Sequence, residues 1–122
     1  MSAILLVDDD LQVLDVLGEM LRLEGHSVVT AENGVVALEK IKTGPFDLVV
    51  ADIIMPEKEG LETISSIRKK HGDLPIIAIC GGGRIGPNDY LEAAKHIGAN
   101  ATLDKPFARK EFTSVVDSLL VS

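Results

Sequence analysis

Four charged residues stand at the ends of short apolar runs. Asp8 and Asp9 follow Ile4-Leu5-Leu6-Val7, Asp52 closes Phe46-Asp47-Leu48-Val49-Val50-Ala51, and Lys105 follows Ala101-Thr102-Leu103-Asp104. Short branched apolar runs closed by polar residues are the pattern of strands buried on both faces. In a parallel sheet the carboxyl ends of all strands share one edge, which is where open α/β sheets bind ligands. Three acids and a lysine would meet there. Carboxylates forced together repel, and their ionised forms become costly unless a cation joins them.

Positioning these groups requires alternating strands and helices. Asp10 is placed to cap a helix in which Leu14, Leu17 and Leu21 recur at helical spacing and which Gly25 closes. Ser27 to Ala31 reads as the second strand and Asn33-Gly34 as a turn. Val36 to Lys42 then carries a short helix with Leu38 and Ile41 inward, ending at Gly44-Pro45. Leu61, Ile64 and Ile67 mark a third helix. Pro75 opens the fourth strand, Ile76 to Ile79, which runs into the glycine-rich loop Gly81 to Gly86. Pro87-Asn88-Asp89 starts another helix that ends near Gly98, and Lys110 to Val121 forms the last, with Phe112, Val116 and Leu119 inward. Five strands alternating with five helices predict an α/β, doubly wound (βα)5 flavodoxin-like fold. Its five-stranded parallel sheet has the order 2-1-3-4-5 with helices on both faces. That order gathers Asp8, Asp9, Asp52 and Lys105 into one crevice.

At 122 residues the chain reads as one domain, residues 1–122, large enough to bury roughly two-thirds of its unfolded surface. Hydrophobic residues make up 46% and charged residues 25%, which separates it from disordered chains. A net charge of −7 argues against nucleic acid or an anionic membrane as direct partner and favours cationic ligands such as a metal ion. The lone Cys80 cannot form an internal disulfide, no leader pattern opens the chain, and no apolar run reaches membrane-spanning length. A cytoplasmic location is the expectation.

Leu5-Leu6-Val7-Asp8-Asp9-Asp10, Asp52-Ile53-Ile54-Met55-Pro56, Gly98-Ala99 and Lys105-Pro106-Phe107, in this order and over nearly the whole chain, resemble the signature of bacterial two-component response-regulator receiver domains. The resemblance implies a signalling domain rather than an enzyme, with Asp52 as phosphoacceptor, Asp8 and Asp9 holding Mg2+, the backbone carbonyl of Ile54 as a further ligand, and Lys105 contacting the phosphoryl group. It implies a sensor histidine kinase or histidine phosphotransfer protein as donor. The last helix uses up the chain, so a stand-alone receiver that signals to a separate downstream protein is expected. Mg2+ fits the acids: it is a hard ion that prefers oxygen ligands, usually one or two carboxylates plus phosphate oxygens.

An Asp at a strand end is more often a turn or cap residue than a nucleophile. Asp10 keeps that role, whereas Asp52 does not, because two further acids and a lysine sit at corresponding strand ends. Lys69, Lys70 and Lys110 read as solvated lysines. His26, His71 and His96 lack metal-ligand spacing and read as surface residues. Two positions depart from the family pattern. Cys80 stands where the fourth strand normally ends in Ser or Thr, and Thr102 replaces the usual aromatic switch residue. A thiol is a weaker donor than a hydroxyl, so Cys80 is either a phosphoryl contact or a plain buried thiol. In the family the residues bordering the path of the hydrolytic water correspond to Ile54 and Gly82, neither of which can hold water, so slow loss of the phosphoryl group is expected. Two other functions compete. Cys80 and Thr102 suit a degenerate receiver acting as a phosphorylation-independent interaction module. The stretch Gly81-Gly82-Gly83-Arg84-Ile85-Gly86 fits a nucleotide-binding loop, but only one strand follows it, leaving no second half for a dinucleotide.

Overall fold

A computed structural model describes residues 2–52, 59–81, 98–105 and 107–120; Glu59, Leu61, Cys80, Asp104 and Lys105 are described by their backbone alone. Expectations for Ile54, for Gly82 to Gly86 and for the helix expected from Pro87 fall outside the described residues. The elements are β1 (Ala3–Val7), α1 (Leu11–Leu23), β2 (Ser27–Ala31), α2 (Gly34–Lys40) with a 3-10 turn (Ile41–Thr43), β3 (Leu48–Asp52), α3 (Glu59–Lys70), β4 (Ile76–Gly81), β5 (Ala101–Lys105) and a last helix α4 (Arg109–Leu120). All strand pairs are parallel. The sheet order is β2-β1-β3-β4-β5, as the alternation of strands and helices predicts.

Local chemistry sets the element ends. The Asp10 carboxylate accepts the backbone N–H of Gln12 at 2.9 Å and caps α1. At the other end Gly25, at φ +90°, lets its own N–H reach Arg22 O and the N–H of His26 reach Leu21 O. This closure satisfies the last carbonyls of α1. It also tucks His26 inward: the residue is half-buried, not at the surface, and its Nδ1 has no partner among the described residues. Asn33, expected in a turn, instead caps α2, its side chain accepting the N–H of Val36 at 2.8 Å, so the helix starts two residues before the expected Val36. β3 begins at Leu48 rather than Phe46. Asp47 donates its N–H to Ala3 O at 2.7 Å and takes the Ala3 N–H on its carboxylate at 2.8 Å, so a side chain replaces the first backbone rung.

Strand alternation feeds two cores. Ile4, Leu6, Leu48, Val50, Ile77, Ile79 and Leu103 meet Leu14, Leu17 and Leu21 of α1 and Phe112 and Val116 of α4. Leu5, Val7, Val49, Ala51, Ile76 and Ala78 meet Ala37 and Ile41 near α2 and Ile64 and Ile67 of α3. Both faces of the central strands are therefore dry, which is why β1 and β3 read as unbroken apolar runs. A tie at the amino edge steadies β4 and β5. The Arg68 guanidinium donates to Gly98 O at 2.7 Å, Gly72 O at 2.6 Å and Asn100 Oδ1 at 2.7 Å, and the same Oδ1 takes the Ile76 N–H at 2.9 Å.

Candidate functional site

The site forms at the carboxyl edge of the central strands. Every residue of β3 is buried, and its last, Asp52, is only 5% exposed. Asp8 lies one residue past β1, where its N–H donates to Ala31 O at 3.1 Å and its Oδ1 accepts the N–H of Asp10 at 2.8 Å. It is 2% exposed, whereas Asp9 lies open to solvent. Because β1 and β3 are hydrogen-bonded neighbours with Val7 opposite Ala51, the residues that follow them emerge side by side. One carboxylate oxygen from each of Asp8, Asp9 and Asp52 lies within 4.8 Å of the others.

Two buried acids at that separation repel by about 3 kcal/mol at an effective dielectric near 20. The donor set is all oxygen and one member faces solvent, which suits a hard divalent ion that keeps part of its water shell. The residues present thus fit Mg2+, as the crowding of strand-end acids anticipates.

Of the other expected site residues, register places the backbones. Asp52 pairs with Ile79, Cys80 with Asp104, and Gly81 with Lys105. Lys105 therefore ends its strand two strands from Asp52, on the same edge. Just beyond it, Phe107 stacks on buried Phe112 with ring centroids 5.5 Å apart, anchoring the turn into α4. Thr102 is half-buried opposite Ala78. Asp10 has a role that sequence reasoning assigned only in part: besides capping α1 it braces Asp8 through its own N–H in an Asx-type turn. A groove of about 520 Å3 at the opposite edge, lined by Phe46, His71 and Pro75 among others, touches none of these acids. Among the described residues no helix is long and apolar enough to cross a membrane.

Comparison with known proteins converges on one family. The response regulator receiver domain model matches residues 4–117. The transcriptional regulatory protein CpxR homolog of Haemophilus influenzae is 35% identical over 98% of this chain and 51% of its own length. Response regulator MprA of Mycobacterium sp. (strain KMS) is 37% identical over 96% of this chain and 50% of its own. The chain thus spans about half the length of the curated relatives it matches. Among solved structures, response regulator protein TrrA of Thermotoga maritima in complex with Mg(2+)-BeF superposes with a TM-score of 0.86 at 37% identity, covering 98% of this chain and all of that one.

Proposed function

Because this chain belongs to the response regulator receiver domain family, we propose that it accepts a phosphoryl group on Asp52 in a Mg2+-dependent reaction and signals through altered protein binding. The single observation that carries the reading is the trio Asp8, Asp9 and Asp52, with carboxylate oxygens within 4.8 Å at the end of the central strands. The family supplies the reaction class; the trio supplies a nucleophile and a cation seat.

In the transfer a carboxylate oxygen of Asp52 attacks phosphorus in line. The bond from phosphorus to the imidazole nitrogen of a donor phosphohistidine breaks, and the leaving imidazole keeps the electron pair. Asp8 and Asp9 would hold the metal, with the carbonyl of Ile54 as a further ligand. Bound Mg2+ supplies positive charge beside the phosphoryl oxygens. Lys105 adds a second cation to that edge and pairs with the transferred group. Burial of Asp52 keeps bulk water from competing for its carboxylate and from screening these charges. The metal ligands and the lysine therefore act before transfer, by making room for a dianion among acids, and after it, by holding the product.

The donor in this reading is a sensor histidine kinase or histidine phosphotransfer protein, and the readout is a separate protein or domain whose affinity changes. The relatives' regulatory activities belong to chains about twice as long, so the output is proposed only as protein binding. Incubation with acetyl phosphate and Mg2+ is expected to add one phosphoryl mass, and chelation of the divalent ion is expected to abolish the addition. Equal labelling with and without the metal would overturn the Mg2+ role, and no labelling under either condition would favour the phosphorylation-independent interaction module.

A further inference from the structure

At the amino end of β5 a side chain takes the place of a backbone rung, and what it fixes lies at the other end of the strand. Asn100 meets Ile76 twice: its N–H donates to Ile76 O at 2.7 Å, and its Oδ1 accepts the Ile76 N–H at 2.9 Å. In a regular parallel ladder that Ile76 N–H would go instead to the carbonyl two residues before Asn100, that of Gly98. Gly98 stands at φ +119°, and its carbonyl accepts Nε and Nη2 of Arg68 at 3.2 and 2.7 Å. The same Nη2 donates to Asn100 Oδ1 at 2.7 Å, which holds the amide against Ile76. The ladder therefore starts from a group that only one residue of the strand can offer.

Register in β5 needs such a marker. A slip by one residue would turn buried Leu103 out of the core, but a slip by two keeps every side chain on its own face, so the apolar pattern does not exclude it. β5 also ends the sheet, with β4 as its one strand neighbour, so no second ladder corrects its placement. The observed register sets Cys80 opposite Asp104 and Gly81 opposite Lys105. A two-residue slip would carry Lys105 about 6.6 Å along the strand, more than twice the length of the hydrogen bond by which a lysine pairs with a phosphoryl oxygen. We propose that Asn100, held by Arg68, is a positioning residue for Lys105: it fixes the β4–β5 register at the amino edge and so delivers the lysine to the phosphoryl group at the carboxyl edge. The task given to Lys105 rests on the phosphoryl-transfer reading, whereas the register role of Asn100 stands without it. Asp8, Asp9 and Asp52 follow or end β1 and β3, whose pairing does not involve Asn100, so the metal seat does not depend on the amide.

Asn100 is exposed, so its replacement leaves the core intact. Asn100→Ala is expected to take label from acetyl phosphate about tenfold more slowly than the wild type at saturating Mg2+, while calorimetric titration returns the wild-type Mg2+ affinity. Asn100→Asp keeps an oxygen for both Ile76 and Arg68 and should label at the wild-type rate. In a Lys105→Ala background no lysine is left to position, so Asn100→Ala should slow labelling no further. Amide hydrogen exchange reads the register without any phosphoryl group: Asn100→Ala should speed exchange along β4 and β5 and leave β1 and β2 as in the wild type. Wild-type exchange or a wild-type labelling rate in Asn100→Ala would overturn the proposal. So would weakened Mg2+ binding, or a further loss on top of Lys105→Ala, because either marks a general structural role. A wild type that takes no label would overturn the phosphoryl-transfer reading and the task of Lys105 with it, and the exchange result would still decide whether Asn100 sets the register.

Discussion

Asp9 is the exposed member of the acid trio and can be altered with the least disturbance to packing. Replacing it by Asn removes one of three mutually repelling charges, so Asp9→Asn is expected to melt at a higher temperature than the wild type when no divalent ion is present. Added Mg2+ should reverse the order. A ligand at about 100 times its dissociation constant stabilises by about 2.7 kcal/mol, and the variant should lose most of that gain. Thermal scans with and without Mg2+ decide, and an identical metal response in both proteins would remove Asp9 from the ligand set. Lys105→Ala should leave metal binding intact or tighter, because a competing cation is gone, while reducing the spectral response to phosphorylation; an unchanged response would sink the role. A third outcome concerns lifetime. Ile54 and Gly82 offer no group that can align a water opposite the leaving carboxylate, and misalignment raises the barrier to hydrolysis. The double variant Ile54→Asn with Gly82→Glu is expected to lose its phosphoryl group faster than the wild type. Equal decay rates would dispose of the positioning argument. At this scale the acids were legible in the sequence because each punctuates an apolar run. The bracing of Asp8 by the Asp10 N–H was not, since it depends on how the chain turns between strand and helix.

At the scale of elements the tie between α3 and the starts of β4 and β5 carries its own prediction. Arg68 is half-buried and, among the described residues, serves neutral acceptors in Gly72, Gly98 and Asn100, with a further long bond to His71 O. Arg68→Ala would strand those acceptors and is expected to cost about 2 kcal/mol in denaturant unfolding. Gly98→Ala attacks the same tie from the other side: Gly98 sits at φ +119°, and an added Cβ would stand 2.9 Å from Arg68 Nε. That variant should also be destabilised. If both proteins unfold at the wild-type midpoint, the tie contributes nothing. Sequence reasoning passed over Arg68 because Arg68-Lys69-Lys70 looks like a solvated basic helix end. Strand limits were read well where polar residues bracket them, as for Ser27–Ala31. They were read less well at Leu48, where the Asp47 side chain takes a rung of the ladder, and at β5, which runs on to Lys105.

For the whole molecule, the alternation of strands and helices was enough to anticipate the order β2-β1-β3-β4-β5, because handed crossovers leave few ways to bury both faces of a parallel sheet. That order makes β1 and β3 neighbours, and so the acids converge before any side-chain detail is considered. The central claim is that Asp52, the most interior acid by strand position, receives the phosphoryl group, and that Asp8 and Asp9 only serve it. After labelling with acetyl phosphate and Mg2+, reduction with borohydride converts an aspartyl phosphate to homoserine, and peptide mass spectrometry locates the residue. Homoserine at position 52, with no labelling of Asp52→Ala, is the expected result. Homoserine at position 8 or 9 in the wild type, or undiminished labelling of Asp52→Ala, would contradict the account.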